Sequence, residues 1–398
     1  MEHYKYLIIG GGMTADAAAL GIREVDPSGS IGLIGAEPDP PYDRPPLSKK
    51  LWKGKPIEII WRGTRDKGVD LHLGRTVQAL NPNDKAVTDD LGNTCSYEKL
   101  LLATGSTPRR LSFGGNDVIY YRTVQDYEHL RSLAQGKRHF AVIGGGFIGS
   151  EVAAALAMNG QHLTMVFPED GIGWRLFPAG LSHFVSDYYR QKGVTVLAKR
   201  TVEGMAKRGD QFVVERSPVL DAAEPELVVD GIVTGIGVTP NVQLAQQTGL
   251  EVANGVVVDE HLCTSHPDIY AAGDVASFYN QALDQRRRVE HEDNANTMGR
   301  AAGRNMAGAG ERYDHLPYFY SDLFELGYEA VGDTDSRLET VEDWQKEPFQ
   351  KGVVYYLRHG RVRGVLLWNV WDQVPNARQL IAEPGPFHPE DLKGRLPA

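Results

Sequence analysis

A repeated glycine-rich turn constrains the fold of this chain more than any other feature. The first copy starts with the apolar strand Tyr4–Ile9, which runs directly into Gly10-Gly11-Gly12. An alanine-rich helix follows to about Glu24, and a second strand, Ile31–Ile34, leads to the acid Glu37. A strand, a tight glycine turn, a helix and a second strand are typical of the β-α-β unit that binds nucleotides in doubly wound folds.

The same pattern returns in the middle of the chain. The strand Phe140–Ile143 runs into Gly144-Gly145-Gly146, and a helix is predicted over Ser150–Met158. The strand Leu163–Phe167 then leads to a second acid, Glu169. The two turns therefore share every element of the pattern, including the acid at its end.

The spacing of a second pair of signals supports a true repeat. The turns begin 134 residues apart, and the tripeptides Ala103-Thr104-Gly105 and Val233-Thr234-Gly235 lie 130 residues apart. Two signals at matching offsets predict two nucleotide units of one architecture. A single turn of this kind would be weak support, because glycine-rich turns without a ligand are common.

The residue types in the turns explain why they bind dinucleotides. The first glycine allows the tight turn, the second lets the backbone approach a pyrophosphate, and the third position must be small. These positions are Gly10, Gly12 and Ala15 in the first copy and Gly144, Gly146 and Gly149 in the second. The start of the helix offers free N–H groups to the phosphates, and Glu37 and Glu169 would accept hydrogen bonds from ribose.

Composition limits the remaining classes. At 398 residues the chain suits two or three domains, and its net charge of −10 argues against nucleic acid as the main partner. Only Cys95 and Cys263 occur, so a disulfide framework is excluded and a reduced, cytoplasmic location is expected. The first strand starts by Tyr4, which leaves no room for a signal peptide, and no apolar run is long enough to span a membrane.

Longer motifs carry a resemblance to a known family. They are Pro41–Lys49 (PYDRPPLSK), Ala103–Gly105, Ala271–Ala276 (AAGDVA), Arg286–Asp293 and Lys351–Asn369. Together they closely resemble the flavoprotein family of pyridine nucleotide-disulfide oxidoreductases. Within it, the match is similar to the branch of apoptosis-inducing factor and the ferredoxin reductases of oxygenase systems.

The resemblance implies a glutathione-reductase-like α/β fold with two Rossmann-like domains and an α+β C-terminal domain. An FAD-binding domain would comprise residues 1–115 and 231–311, an NADH-binding domain residues 116–230, and an interface domain residues 312–398. After about Gly310 the sequence itself changes to aromatic strands. A hairpin is predicted around His359-Gly360 and a terminal helix near Pro375–Ala382.

The resemblance also assigns residues to two cofactors, FAD and NADH, and implies no metal site. Arg44 and Lys49 are expected beside the ribityl chain and the isoalloxazine, and Asp274 at a helix start where it accepts from ribityl hydroxyls. The full FAD set is Gly10, Gly12, Ala15, Glu37, Arg44, Lys49, Ala103, Thr104, Gly105, Gly273, Asp274, Glu290, His291 and Tyr320. The NADH set is Gly144, Gly146, Phe147, Ile148, Gly149, Glu151, Glu169, Arg175 and Gly237.

Three of these residues are implied in the reaction centre. Lys49 would favour the reduced, anionic flavin, and Glu151 is positioned to pair with it. His291 would hydrogen-bond the ring or move a proton on reoxidation. A solvated lysine in a loop and a histidine satisfied by packing remain the alternatives.

Glu169 would repel the 2′-phosphate of NADPH and favour NADH at least about tenfold, although Arg175 nearby weakens this prediction.

Missing cysteines limit the route of the electrons. Disulfide reductases of the wider superfamily carry a C-x4-C pair near positions 41–49, where this chain has no thiol. Electrons would therefore leave the flavin directly, and Cys95 and Cys263 are interpreted as small packing residues.

Three hypotheses concern the electron acceptor and the role of the protein. A ferredoxin or rubredoxin is the leading hypothesis. In Phe319-Tyr320-Ser321-Asp322 a tyrosine replaces the tryptophan usual in ferredoxin reductases of this branch. The string is also similar to monodehydroascorbate reductases, so a small acceptor such as a quinone or monodehydroascorbate is the second hypothesis. Simple equivalence of the two aromatic residues is the alternative interpretation of Tyr320. The third is a redox sensor like apoptosis-inducing factor, which forms a long-lived charge-transfer complex and changes conformation; a homodimer is compatible with it.

Overall fold

The chain divides into two compact units. The computed structural model describes residues 1–217 and 226–397. Unit 1 comprises Met1–Arg44, Ile57–Thr107 and Thr239–Phe319, and unit 2 comprises Pro45–Pro56, Pro108–Val238 and Tyr320–Ala398. The division into three domains stays a prediction, and its NADH-binding range includes residues 218–225, which lie outside the described residues.

The central sheet of unit 1 is built on the first glycine-turn strand, whose last four residues are buried. Its strands, numbered along the chain, are β1 (Glu2–Ile9), β2 (Ile31–Gly35), β3 (Val69–Leu73), β4 (Val77–Asn81), β5 (Ala86–Asp89), β6 (Thr94–Leu102) and β19 (Ile269–Ala271). The order is β3-β2-β1-β6-β5-β4, with β19 also paired to β6. Strands β1, β2, β3, β6 and β19 are parallel, and β4 and β5 are antiparallel additions.

This sheet curls, because its two outer strands are joined by only three residues. Strands β3 and β4 end the strand order, yet Leu73 and Val77 are separated by residues 74–76 alone. Five steps in a flat sheet would place the outer strands about 24 Å apart. The link spans at most about 14 Å. The outer strands must therefore approach each other at this end.

Helices cover the sheet, and the shorter elements of unit 1 complete its core. The helices are α1 (Met13–Val25), α5 (Gln243–Gln247) and α6 (Glu292–Met306), and the short strands are β17 (Val252–Ala253), β18 (Gly255–Val257), β20 (Ala276–Asn280) and β21 (Gln285–Arg287). Single 3₁₀ turns lie at Ile57–Ile60, Thr64–Lys67 and Gly273–Val275. Helices α1 and α6 pack closely, since a Cβ at Gly303 would lie 2.0 Å from the Ala18 carbonyl oxygen.

Unit 2 repeats the architecture of the first unit. Its parallel sheet has the order β11-β10-β9-β15-β8 and places the second glycine turn after β9. The strands are β8 (Val118–Tyr120), β9 (His139–Ile143), β10 (His162–Val166), β11 (Val194–Leu197) and β15 (Gly231–Thr234), with helices α2 (Val124–Leu133), α3 (Phe147–Met158) and α4 (Ala179–Gln191). An antiparallel sheet adds β12 (Val202–Arg208), β13 (Gln211–Arg216) and β14 (Leu227–Val229). Single 3₁₀ turns lie at Pro45–Ser48 and Gly115–Asp117, and β7 (Ser106–Pro108) and β16 (Val238–Pro240) lie at the unit boundaries.

The C-terminal residues form a second layer of unit 2. Their five strands are β22 (Tyr318–Leu323), β23 (Leu326–Gly332), β24 (Glu339–Trp344), β25 (Gly352–Arg358) and β26 (Arg361–Trp368), followed by α7 (Val374–Ala382) and α8 (Pro389–Leu392). The Tyr356 hydroxyl donates to the Leu176 carbonyl at 2.7 Å, and Phe177 packs edge-on against Trp368. These contacts join the C-terminal sheet to the second nucleotide unit.

The observed elements confirm the predicted repeat and the α/β fold class, with two local differences. Helix α3 begins at Phe147 rather than Ser150, because Gly146 itself is the N-cap and the helix starts directly after it. Asp274 lies in a single 3₁₀ turn rather than at the start of an α-helix. The hairpin at His359-Gly360 and the terminal helix are present.

Candidate dinucleotide and electron-transfer sites

The first glycine turn leaves open space where a pyrophosphate would lie. Gly10 has φ of +129°, and a Cβ there would come within 2.0 Å of the Ala103 carbonyl oxygen. Gly12 is the N-cap of α1, and no side chain caps the helix there. A Cβ at Gly12 would meet no heavy atom of the described residues within 4 Å, its chain neighbours aside. Free N–H groups that face open space fit the phosphates of FAD.

The second turn has the same design with one tighter contact. Gly144 has φ of +111°, and a Cβ there would lie 2.4 Å from the Gly235 carbonyl oxygen. Gly146 is the N-cap of α3, again with no side-chain cap and open space around it. A Cβ at Gly149 would lie 2.1 Å from the Gly144 carbonyl oxygen, so only glycine fits. The first copy accepts Ala15, whose side chain is fully buried.

The tripeptide Ala103-Thr104-Gly105 is held by a residue that the motifs did not reveal. The Thr104 hydroxyl donates to the Asn241 carbonyl at 2.8 Å, and the Asn241 amide donates back to the Thr104 carbonyl at 2.8 Å. This reciprocal pair fixes the strand end that contacts Gly10. Asn241 follows Val233-Thr234-Gly235 without belonging to any of the motifs, so its role was not predicted from the sequence.

The ribose acid of the first copy is already engaged by cations and hydroxyls. Glu37 accepts from Arg44 Nη2 at 2.5 Å and from the Tyr42 hydroxyl. Arg44 also lies over the Tyr42 ring, with 5.1 Å between guanidinium carbon and ring centroid. The structure thus places Arg44 at the acid that would bind ribose. Its assignment to the ribityl chain stays a prediction.

Asp274 lies against the first turn of α1. A Cβ at Gly273 would come within 2.3 Å of the Thr14 hydroxyl, so the glycine lets this segment approach the helix. The Ser106 hydroxyl donates to Asp274 at 2.7 Å. Arg288 joins the segment to Glu290 by an ion pair of 2.5 Å and donates to the Asp274 carbonyl at 3.1 Å. Asp274 and Glu290 therefore belong to one connected polar cluster in unit 1.

His291 is the N-cap residue of α6 and stacks on an aromatic ring. Its ring centroid lies 4.2 Å from that of Phe319, with 19° between the planes. Burial, partly offset by Asp274, lowers the pKa of His291 to about 4. The imidazole is therefore neutral at pH 7, able to share a hydrogen bond but poorly suited to deliver a proton.

Lys49 and Glu151 form a buried ion pair in unit 2. Lys49 Nζ lies 2.7 Å from Glu151 Oε1, and the two side chains are 9% and 5% exposed. The Ser321 hydroxyl donates to Oε1 at 2.6 Å and the Ser48 hydroxyl to Oε2 at 2.5 Å. Lys49 also lies over the ring of Tyr320 at 5.2 Å. Ser48 and Ser321 stand inside quoted motifs, yet their role as partners of Glu151 could be seen only in three dimensions.

The backbone around Lys49 is held rigidly. The hydroxyl of Tyr121 donates to the carbonyl of Leu47, and the indole N–H of Trp52 donates to the same carbonyl at 2.9 Å. The 3₁₀ turn at Pro45–Ser48 ends directly before the lysine. Packing and hydrogen bonds together fix the position of the ammonium group.

The second copy exposes residues around its glycine turn. Phe147 and Ile148 are 38% and 40% exposed, unusually high for large apolar side chains. Glu169 accepts from Arg175 Nη2 at 3.0 Å, and Arg175 itself is 86% exposed. Gly237, with φ of +96°, accepts at its carbonyl from the Arg109 N–H at 2.9 Å. The assignment of these residues to NADH stays a prediction.

Both cysteines are free and lie in unit 1. Cys95 is buried in β6, and Cys263 is half-buried beside Tyr270. Burial raises the pKa of both thiols, so each is protonated near neutral pH. Neither thiol has the low pKa that a redox relay needs.

Two dinucleotide units and a buried lysine–glutamate pair define a flavin- and nicotinamide-dependent oxidoreductase. Comparison of the sequence with family models gives the same class. Residues 4–299 match the model described as pyridine nucleotide-disulphide oxidoreductase. Residues 302–348 and 342–383 match that of the C-terminal part of mitochondrion-associated apoptosis-inducing factor. The chain belongs to the pyridine nucleotide-disulphide oxidoreductase family, and the predicted cofactors, FAD and NAD(H), are confirmed.

Similar proteins share nearly the whole chain. The ferredoxin reductase subunit of 5,5′-dehydrodivanillate O-demethylase from Sphingobium sp. is 35% identical over 394 residues, which cover 96% of this chain and 94% of that protein. Mitochondrial apoptosis-inducing factor 1 from Dictyostelium discoideum is 34% identical over 431 residues, covering 96% and 79%. The solved covalent putidaredoxin reductase–putidaredoxin complex gives a TM-score of 0.89 at 30% identity, covering 98% and 95%.

The helices of the described residues include no candidate membrane span. Among the residues that the structure describes, no helix combines the length and the apolar composition needed to cross a bilayer.

Proposed function

We propose that this oxidoreductase is an NADH-dependent reductase that passes electrons through FAD to an external one-electron acceptor protein. A ferredoxin or rubredoxin is the best candidate for the acceptor, which corresponds to a ferredoxin–NAD⁺ reductase-like activity. The single observation that carries the proposal is the buried Lys49–Glu151 pair in a chain with no thiol at positions 41–49. A relative that is a ferredoxin reductase subunit and a solved reductase–putidaredoxin complex support it.

Each cofactor would be held by one glycine turn and one acid. The turn at Gly10–Gly12 with Glu37 and Asp274 suits FAD, and the turn at Gly144–Gly146 with Glu169 suits NADH. Bound FAD supplies the step from two-electron to one-electron transfer. The residues of the chain bind and orient the two cofactors and exclude water, as hydride transfer requires.

Lys49 would provide fixed positive charge at the flavin. Glu151 compensates that charge when the flavin is oxidised, and Ser48 and Ser321 keep the carboxylate in place. A neutral His291 would contribute a hydrogen bond rather than a proton at pH 7. The absence of a flavin-side cysteine leaves direct outward transfer as the route.

The competing proposal is a redox sensor. Similarity to apoptosis-inducing factor 1 favours it. In such a sensor the reduced flavin and NAD⁺ would stay together for a long time. The ring of Tyr320 over Lys49, at the position where ferredoxin reductases of the branch usually have a tryptophan, instead favours a small acceptor. A small acceptor, a quinone or monodehydroascorbate, would be reduced by the same centre.

Stopped-flow mixing with NADH separates these proposals. For the reductase we expect fast flavin reduction, and reduction of cytochrome c that depends on an added ferredoxin or rubredoxin. Long-wavelength absorbance that persists for minutes in air would instead support the sensor. Indifference to every ferredoxin and rubredoxin tried, together with rapid quinone reduction, would overturn the protein acceptor.

Lys49→Ala tests the reaction centre within the same assay. We expect lower FAD retention or a flavin reduction rate at least about tenfold slower, while binding of NAD⁺ at the second turn is kept. Lys53→Ala is the matched control, because Lys53 is a half-exposed lysine of the same segment. An unchanged reduction rate in Lys49→Ala would remove this lysine from the centre.

The three-domain division and the compartment remain proposals as well. Two free cysteines suit the reducing conditions of the cytoplasm. The match of residues 302–383 to a separate C-terminal family model supports an interface domain near residues 312–398.

A further inference from the structure

The curled end of the unit 1 sheet gathers three metal-binding side chains from distant parts of the sequence. Glu2 begins β1 and pairs in register with Cys95 of β6. His72 comes from β3, which is separated from β6 by two strands in the flat order but is brought near by the short link to β4. One carboxylate oxygen, one imidazole nitrogen and the thiol sulfur lie within 4.8 Å of one another.

The spacing of these donor atoms is close to that of a tetrahedral ion. Bond lengths of 2.0–2.3 Å to zinc would separate the donors by about 3.3–3.8 Å. Glu2 Oε2 and His72 Nε2 already lie 3.2 Å apart. Because no two donor atoms are more than 4.8 Å apart, side-chain movements of roughly an ångström would bring all three to this spacing.

Burial and chemistry at the cluster suit a borderline-soft cation. Cys95 is 5% exposed, and no hydrogen bond to its sulfur is found among the described residues. The His72 side chain is 13% exposed and that of Glu2 61%, which leaves a path for an ion from solvent. Sulfur and imidazole ligands select Zn²⁺ over Mg²⁺ or Ca²⁺, which prefer oxygen.

Tyr4 completes the surroundings of the cluster. Its hydroxyl donates to Glu2 Oε2 at 2.9 Å and lies 2.8 Å from His72 Nε2. Tyr4 or a water molecule can occupy the fourth position.

We propose that Glu2, His72 and Cys95 bind one divalent transition-metal ion of the Zn²⁺ type, which joins β1, β3 and β6 as a structural link. This inference departs from the expectation of no metal site and from the interpretation of Cys95 as a packing residue. It is independent of the acceptor and of the proposed function. The competing explanation is a Glu2–Tyr4–His72 hydrogen-bonded group beside an inert thiol.

Zinc titration of the FAD-loaded chain without an affinity tag tests the proposal. Competition against a chromophoric chelator should show one tightly bound equivalent of Zn²⁺ per chain. Cys95→Ser and His72→Ala should each weaken binding at least about tenfold, that is by about 1.4 kcal/mol. Cys263→Ser is the matched control, because it removes the other thiol, and it should bind as the parent does.

Two further measurements keep the test decisive. Cobalt in place of zinc should give absorption bands in the red, beyond the flavin bands, and the bands should disappear in Cys95→Ser. The flavin spectrum of each variant reports folding, and Glu2→Gln is a milder substitution should Cys95→Ser fail to fold. No equivalent bound in competition with the chelator, or binding that survives both Cys95→Ser and His72→Ala, would overturn the proposal.

Discussion

Glu151 shows how a buried carboxylate can have partners at both of its oxygens. Its two oxygens accept from Lys49, Ser48 and Ser321, and the side chain is only 5% exposed. A buried ion pair is weak support for stability, because desolvation opposes the attraction between the charges. The proposed role of Lys49 as a fixed ammonium group at the flavin would account for a pair kept under these conditions.

His291 should make stability depend on pH. Its pKa falls to about 4 in the folded chain from about 6.5 when unfolded, so folding favours the neutral form. The unfolded chain then binds more protons between these values, and stability is lost as the pH falls from about 6.5 through about 4. Between pH 7 and pH 4.5 the parent should lose about 2 kcal/mol more than His291→Gln.

Urea unfolding of the FAD-loaded chains at several pH values measures this difference. The variant is the reference because other groups titrate equally in both proteins. Equal losses in the parent and in His291→Gln would contradict a buried, neutral imidazole.

Glu169 should set the choice of coenzyme. The parent is expected to prefer NADH over NADPH at least about tenfold in kcat/KM, since the carboxylate repels the 2′-phosphate. Glu169→Ala removes this repulsion and frees Arg175, whose guanidinium now lies 3.0 Å from the acid. In this variant the ratio of kcat/KM for NADH to kcat/KM for NADPH should fall at least about tenfold. Glu203→Ala, which removes an exposed acid of β12, is the control. Equal kcat/KM of the parent for both coenzymes would refute the assignment.

At the scale of elements, helices α1 and α6 form the support of the first turn. A Cβ at Gly303 would lie 2.0 Å from the Ala18 carbonyl oxygen and one at Gly21 2.1 Å from the Arg300 carbonyl oxygen. The helices therefore approach to backbone contact. Asp16 of α1 also accepts hydrogen bonds from Arg62, Thr64 and Lys67. These bonds tie the segment before β3 to the same helix.

Gly303→Ala should disturb this support. Adding a methyl group against a backbone oxygen forces the helices apart, and we expect a loss of about 1–3 kcal/mol in the free energy of unfolding. Because α1 carries the first turn, FAD occupancy after purification should fall as well, while the helicity of α6 is kept. Unfolding in urea and the ratio of flavin to protein absorbance are the measurements. A more stable, fully loaded variant would show that the helices can relax at this contact.

The elements of the two nucleotide units were predictable from the sequence, because each glycine turn is local and its period is visible. The start of α3 was misplaced by three residues, since Gly146 caps the helix without any polar signal. The contact between Arg44 and Glu37 could not be predicted, because the sequence does not define the turn that lies between them. Asn241, Ser48 and Ser321 depend on tertiary contacts that no motif encodes.

At the scale of the molecule, charge and ion pairing limit the choice of partners. Arg300 and Arg304 pair with Glu24 and Glu311, and Arg363 is buried. These arginines therefore add little free positive charge to a chain of net charge −10. An acidic acceptor would need a local basic surface to overcome the long-range repulsion.

Reduction of ferricyanide should report this repulsion. At saturating NADH the rate should rise severalfold as salt is raised from low concentration to about 0.15 M, because screening weakens the repulsion between like charges. A neutral quinone is the control and should respond little. A rate for ferricyanide that falls with salt would instead indicate a strongly basic acceptor surface.

The third position of the two glycine turns makes the two nucleotide units unequal in the residues that they tolerate. Ala15 has room for its methyl group, whereas a methyl group at residue 149 would lie 2.1 Å from the Gly144 carbonyl oxygen. Exchange of this position between the two turns is therefore possible in one direction only. The first turn can accept glycine at residue 15, whereas alanine at residue 149 would disrupt the second turn. Any chimera that shuffles these units should respect that direction.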